Sequence, residues 1–370
     1  MRGRDHATRH LFDRRRPARH HRQPARRRPS GGDLRRQPGL FETADSPKPQ
    51  VRRGGDVQPA TTSPLLEAPG LPPEIRLGTS SWFFPGWRGL VYEGTHPQVA
   101  LSRQGLAAYA QIPLLRTVSL DRTFYAPISI VDYARYASQV PAGFSFVVKA
   151  PAIVCDAVIR DEEGRGKVLN SHFLDAAVAA REFVLPCLEG LKEKAGPLVF
   201  QVSPLPRSIV EDASLLVERL ETFFAALPQE LGGRRPLYAL ELRNAELLTR
   251  RLMRMLAQAG VRYCVGLHDR MPEVERQEAA LRVLDGEAPG DLVVRWNLHR
   301  GFLYQAAKQR YEPFDRLVDE DGETRRILAR MAAAAFRGGR KAWITANNKA
   351  EGSAPLSLLK LAKEIAEIVS

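Results

Sequence analysis

Two charged residues close an apolar run at Tyr238 to Arg243, YALELR. In an extended strand Tyr238, Leu240 and Leu242 share one face, and Ala239, Glu241 and Arg243 share the other. Burying a carboxylate and a guanidinium is costly unless both find partners, so charges kept at the end of a core-like strand mark a candidate site. Residues of matching chemistry end other apolar runs: Asp121 after LRTVSL, Lys149 after SFVV, Arg295 and Asn297 in VVRWN, and Asn347 and Asn348 after AWITA. Lys149, Arg243 and Arg295 together suit a phosphate or carboxylate, because guanidinium forks and an ammonium match such groups. Glu241 is the expected general acid or base, since a carboxyl in a partly dry setting has a tunable pKa, with Asp121 and Lys149 as further catalytic candidates. The competing reading of Glu241 is a structural ion pair with Lys149 or Arg243, and that of Lys149 is a Schiff-base nucleophile.

Other chemistries are less well supplied. Asp121, Glu241, His268 and Asp269 are a bare minimum for a divalent ion, so the expectation is no metal site and no cofactor, with metal dependence kept as an alternative. His268 alone reads as a satisfied rim residue. No P-loop, GxGxxG, GxSxG or HExxH occurs, which removes the usual nucleotide-binding, α/β-hydrolase and zincin readings. Trp82, Phe83, Trp87 and Tyr92, with Phe124 and Tyr125, either wall the pocket, Trp82 being the expected substrate contact, or pack their loops together.

The elements that would position these residues start at Ile75. From there short β-branched runs alternate with longer amphipathic stretches, the pattern of repeated βα units. Eight strands are expected: Ile75 to Ser80, Leu115 to Asp121, Phe144 to Lys149, Leu198 to Ser203, Leu237 to Arg243, Arg262 to His268, Leu292 to Asn297 and Ala342 to Asn347. Eight units in about 300 residues predict an α/β fold of the (β/α)8 TIM type. Helical spacing is clearest at Phe173 to Val184, which Pro186 should end or kink, and at Leu358 to Val369. One parity of each strand is apolar, as at Val118 and Leu120 or Val265 and Tyr263. The other parity ends in polar groups, which a barrel would gather at one mouth. After the eighth strand, Asn347 to Gly352 should lead into a helix capped by Ser353, a possible phosphate contact.

The net charge of +13 is unevenly spread. Residues 1–70 hold 15 Arg and 1 Lys against 7 acids, a net +9, leaving +4 for the other 300. This Arg- and Pro-rich stretch is expected to be a disordered basic tail, separate from a barrel domain over 71–370. It is either a dispensable extension or an arm for nucleic acid. Three cysteines without CxxC spacing support neither disulfides nor structural zinc, and no apolar run is long enough for a membrane span. A cytoplasmic protein is expected.

IRLGTSSWFFPGWRGLVYEG, TVSLDRTFY, GFSFVVKAPAIV, GPLVFQVSP, YALELRNAELL and NNKAEGSAP, in that order, resemble the YecE-like family, domain of unknown function 72. The resemblance runs from about Ile75 to the C-terminus. It implies a TIM-type barrel without an established activity. It also implies that Lys149, Glu241, Arg243, Arg295, Asn347 and Asn348 stand at the family's motif positions. Ser119 and Asp121 replace the Glu-x-Asn usual in the second strand, and Asn244 replaces a histidine, so Asp121 is the residue that could take over a missing glutamate's work. The expected function is an enzyme, a hydrolase or isomerase, acting on a phosphorylated or otherwise anionic small molecule by acid–base chemistry. The alternatives are a non-catalytic binder of nucleic acid or anionic ligands, and a metal-dependent phosphoesterase or nuclease.

Overall fold

Every expected β-branched run forms a strand, each ending with its pattern or one or two residues before it. The computed structural model of the chain describes residues 56–160 and 166–370. Its strands are β1 Ile75–Thr79, β2 Leu115–Leu120, β3 Ser145–Lys149, β4 Val158–Arg160, β5 Gly166–Leu169, β6 Ala195–Gln201, β7 Tyr238–Glu241, β8 Arg262–Leu267, β9 Leu292–Trp296 and β10 Ala342–Ala346. Eight of them close into a barrel in the order β1-β10-β9-β8-β7-β6-β3-β2, all pairs parallel. The remaining two, β4 and β5, form an antiparallel hairpin between β3 and β6 that the sequence pattern did not announce.

The helices between strands begin where short polar side chains can accept the free N–H groups of a first turn. Ser129 caps Ile130–Ser138, Asp212 caps Ala213–Ala226, Thr249 caps Arg250–Gln258 and Asp321 caps Gly322–Arg337. Pro186 does not end its helix. The chain runs as Ala176–Ala179, then a wider π turn over Ala180–Val184, then Leu185–Leu191. A proline lacks an N–H and crowds the preceding turn, and a local π turn is a common way to absorb that.

Strand parity separates two cores. Val118, Leu120, Phe146, Val148, Leu198, Phe200, Tyr263, Val265, Leu292 and Val294 join the large apolar cluster under the helices. Val147, Val199, Ala239, Cys264, Val293 and Trp343, of opposite parity, form a separate cluster inside the barrel. This apolar plug fills the lower interior, so the inward polar residues that follow it stand at the upper rim. At Gly78 a side chain is excluded outright: a Cβ there would lie 1.8 Å from the Thr117 carbonyl oxygen, at the point where the β1–β2 register shifts. Cys155, Cys187 and Cys264 are free and buried, and burial pushes all three thiols to higher pKa. No helix among the described residues is long and apolar enough to cross a membrane.

The expected tail, residues 1–70, extends too far toward the barrel. Its residues 1–55 lie outside the described residues, but 56–70 pack on the folded unit. Val57, Ala60 and Leu65 are buried. Ala60 N–H donates to the Val91 carbonyl at 3.0 Å, and Glu93 N–H to the Gln58 carbonyl at 2.9 Å. Ser63 caps the 3-10 turn Pro64–Glu67, which places Leu65 against the Ala354–Val369 helix. The prolines that suggested disorder here instead start and stop a short turn. Leu65→Ala should therefore destabilise the fold by about 2–5 kcal/mol, as for other buried leucines. Urea denaturation checks this; an unchanged midpoint would mean that the segment does not belong to the folded unit.

Candidate functional site

The ends of β7 and β9 bring opposite charges together above the apolar plug. Arg243 Nη1 lies 2.6 Å from Glu241 Oε1, and Arg295 Nη1 donates to Glu241 Oε2 at 2.6 Å. Arg295 spans the mouth: its Nη2 donates to both carboxylate oxygens of Asp121, at 2.8 and 2.7 Å. Gln201, beside Glu241 in the β6–β7 register, accepts from Arg243 Nη2 at 3.0 Å and Arg295 Nη1 at 3.3 Å. Asn297 Nδ2 is 3.4 Å from Glu241 Oε1, and Ser119 Oγ donates to Asp121 Oδ1 at 2.6 Å. Strands β2, β6, β7 and β9 thus meet in one chain of charge-assisted hydrogen bonds. Gly266 makes room for it, since a Cβ there would lie 2.9 Å from Glu241 Oε1 and 3.2 Å from Arg243 Nη1.

The electrostatics follow from this packing. Burial by itself raises the Glu241 carboxyl, but the Arg243 and Arg295 guanidiniums outweigh it and hold the group at about 2. Its side chain is fully buried, so Glu241 has no face toward the mouth. Burial works against the charge on Arg295, yet Asp121 and Glu241 together raise its pKa above the usual arginine range. Asp121 is different: a third of its side chain is exposed, which makes it the carboxylate that faces outward.

Lys149, at the end of β3, has its ammonium 3.6 Å from the centroid of the Phe124 ring. It makes no ion pair or side-chain hydrogen bond among the described residues. Burial lowers it to about 8, and Asp121 is the charge that most opposes this. Lys349 is similar. Burial, then Lys308, bring it to about 8, with Asp121 among the charges acting on it; its ammonium sits 4.2 Å over the Tyr304 ring and donates to Asn347 Oδ1 at 3.1 Å. Tyr125 and Tyr304, both exposed, flank the same carboxylate. Lys349 and Tyr304 were missed in the sequence. Lys349 directly follows the Asn347–Asn348 pair and could have been found by extending that motif one residue.

Several expected contacts lie elsewhere. Trp82 is core rather than a pocket wall: it is buried, its Nε1 donates to the Leu101 carbonyl at 3.1 Å, and Tyr136 meets it edge-on. Asn348 faces inward, its Oδ1 accepting from Trp87 Nε1 at 3.1 Å and from Ala354 N–H at 2.9 Å. That bond occupies the helix start where a phosphate contact was expected, and Ser353, although the N-cap residue, is itself buried and makes no side-chain cap. Asn347 reaches Ser80 Oγ at 2.8 Å. His268 pairs with Asp269, and burial, aided by Arg243, lowers it to about 4, leaving it neutral at pH 7. Among the described residues no three of His, Cys, Asp and Glu converge as a metal site. Arginine occupies the space between Asp121 and Glu241 that a cation would need.

Replacing Glu241 by Gln would strip Arg243 of its ion pair and leave Arg295 with Asp121 alone, a loss of roughly 3–5 kcal/mol. The pH dependence has a definite sign. A carboxyl lowered from 4.5 to about 2 on folding adds roughly 3 kcal/mol of stability, present above pH 4.5 and lost as pH falls toward 2. The stability gap between wild type and E241Q should therefore narrow when denaturation is measured from about pH 6 down to about pH 3. A constant gap would show that Glu241 is not held by its arginines.

Comparison with known proteins agrees with this architecture. The family model described as "Protein of unknown function DUF72" matches residues 76–369. A DUF72 family protein of Thermotoga maritima superposes with a TM-score of 0.52 at 20% identity, covering 79% of this chain and 99% of its own. One from Enterococcus faecalis gives 0.50 at 17%, covering 80% and 95%. No curated protein matches. With the matched segment spanning the whole barrel and most of the chain, this protein belongs to the DUF72 family.

Proposed function

We propose that the chain is an enzyme acting on a small anionic molecule, with Lys149 receiving the anionic group and Asp121 moving the proton. The observation that carries this reading is the contrast between cations at the mouth. Arg243 and Arg295 are engaged by Glu241, Asp121 and Gln201, whereas the Lys149 ammonium meets only a ring among the described residues. An ammonium brought out of water to such a position is ready to exchange a weak contact for a phosphate or carboxylate oxygen. Lys349, whose ammonium also bonds Asn347 Oδ1, adds a second cation within the influence of Asp121.

The roles then differ from those expected of the motif alone. Glu241, ionised far below neutral pH, is too weak a base for catalysis and serves as the fixed counter-charge of the arginines. Asp121, held by Arg295 and Ser119 but open on one side, takes a proton from a substrate carbon or from water. Lys149, at about 8, gives up a proton more readily than an ordinary lysine and can return it to a developing oxyanion. This pair suits an isomerase or a hydrolase. Three free, buried cysteines fit a reducing cytoplasm as its place of work.

The test is a thermal-denaturation screen of phosphorylated and carboxylated metabolites. A substrate-class ligand should raise the melting point of wild type and Asp121→Asn but not of Lys149→Met. Turnover of that ligand should fall about 10²–10⁴-fold in Asp121→Asn, the usual worth of a positioned proton acceptor. If the same ligands shift Lys149→Met as much as wild type, the assignment of the anion to Lys149 fails.

A further inference from the structure

The end of the barrel opposite the mouth gathers a second set of positive charges. Arg76, Lys192, Arg234, Arg235 and Lys341 line an open pocket with about 770 Å³ of empty space at the N-terminal ends of β1, β3, β6, β7 and β10. Only two acids share it. Glu193 reaches Arg234 at 3.7 Å from a largely exposed position, an arrangement that holds little. Asp291 spends an oxygen on the Lys341 backbone N–H, at 2.8 Å. Arg76, Lys192, Arg235 and the Lys341 ammonium have no ion pair among the described residues. Glu74 and Asp291 act on Arg76 from nearby, but the cations outnumber the acids and repel one another, so an anion lying among them stabilises the arrangement.

Arg76 shows where that anion would sit. On β1, Ile75 and Leu77 belong to the outer core, so Arg76 points into the base of the barrel. Its guanidinium lies 5.4 Å over the Trp343 ring, whose Nε1 is fixed by a 2.8 Å bond to Ser145 Oγ. Nε of Arg76 has a single long contact, 3.5 Å to the Gly143 carbonyl, and Nη1 is buried with no hydrogen-bond partner. Among the described residues Arg76 Nη1 shares that condition with Arg243 Nη1 and Arg295 Nε, but unlike them Arg76 has no carboxylate in ion-pair contact. Lys192 on the same rim holds a positive φ of 52°, a conformation that a lysine adopts only when its surroundings impose it and that recurs at ligand clamps.

We infer that this pocket is a second anion site, separate from the mouth, that takes a multivalent phosphate. A single carboxylate would leave most of the four unpaired cations unanswered. A diphosphate offers both the charge and the spread of oxygens for a guanidinium fork at Arg76 and contacts from Arg235, Lys192 and Lys341.

The test is calorimetric titration of the full chain with inorganic pyrophosphate, against sodium chloride and sulfate at equal ionic strength. Wild type and Lys149→Met should bind pyrophosphate saturably at one site, and Arg76→Met and Arg235→Gln should bind about ten-fold more weakly, the worth of a lost charge-assisted bond. Arg235 lies on an exposed loop, so its variant reads the site even if Arg76→Met disturbs the barrel base. Unchanged affinity in Arg235→Gln and Lys341→Gln overturns the inference. So does binding lost in Lys149→Met but kept in Arg76→Met, which would make the mouth the anion site. Heat matched by the control salts, many weak equivalents or no heat at all would equally overturn it.

Discussion

The barrel's upper rim depends on Arg295. Its guanidinium joins β9 to β7 through Glu241, to β6 through Gln201 and to the end of β2 through Asp121, and it is almost wholly buried. A guanidinium with that many acceptors can remain charged in a dry interior, because both Nη groups meet oxygens and the two carboxylates offset its charge, although Nε is buried without a hydrogen bond. Removing any one of these partners would strand the others. The constraint also shapes neighbouring positions: Gly266 has to lack a side chain for the Glu241–Arg243 pair to lie flat inside the strand ring.

The same constraint divides the charged residues into two kinds. Those tied to one another by ion pairs, Glu241, Arg243 and Arg295, form the frame of the mouth. Those held near it but less completely engaged, Asp121, Lys149 and Lys349, have lowered pKa values or an open face and are free to respond to a ligand. Charged frames of this sort are often read as catalytic machinery because they are buried and strongly perturbed. Here the perturbation of Glu241 comes from a pairing that removes it from reach, so exposure and unfilled contacts separate the two kinds better than the size of a pKa change.

Much of the architecture was legible in the sequence because strand parity is a strict two-residue period. Val118 and Leu120 against Ser119 and Asp121, or Val294 against Arg295, announce which face is outward, and all eight strands follow that rule. The convergence of Asp121, Lys149, Glu241, Arg243 and Arg295 at one rim follows from it. Which charges pair does not, because that depends on strand tilt and on Arg295 being long enough to span from β7 to β2. Trp82 was misplaced since a run of aromatics after a strand looks alike whether it faces a cavity or a core; a helix carbonyl at Leu101 decided it. Residues 56–70 were misjudged because TTSPLLEAPG is rich in turn formers, while its buried apolar anchor, Leu65, has no periodic neighbour. The β4–β5 hairpin was missed for the opposite reason, being too short to show a period.

The three cysteines sit at three places in the fold, Cys155 and Cys187 within the outer core and Cys264 apart from them. Cys264 lies in the plug inside the barrel, Cys187 in the helix layer, and Cys155 in the short helical turn after β3. Each sulfur is shielded from water and kept protonated. A thiol reagent in solution can therefore reach a given cysteine only as often as its own surroundings open. The molecule carries three built-in reporters whose labelling rates separate breathing of the mouth loops from loosening of the helix ring and from rupture of the strand cylinder itself.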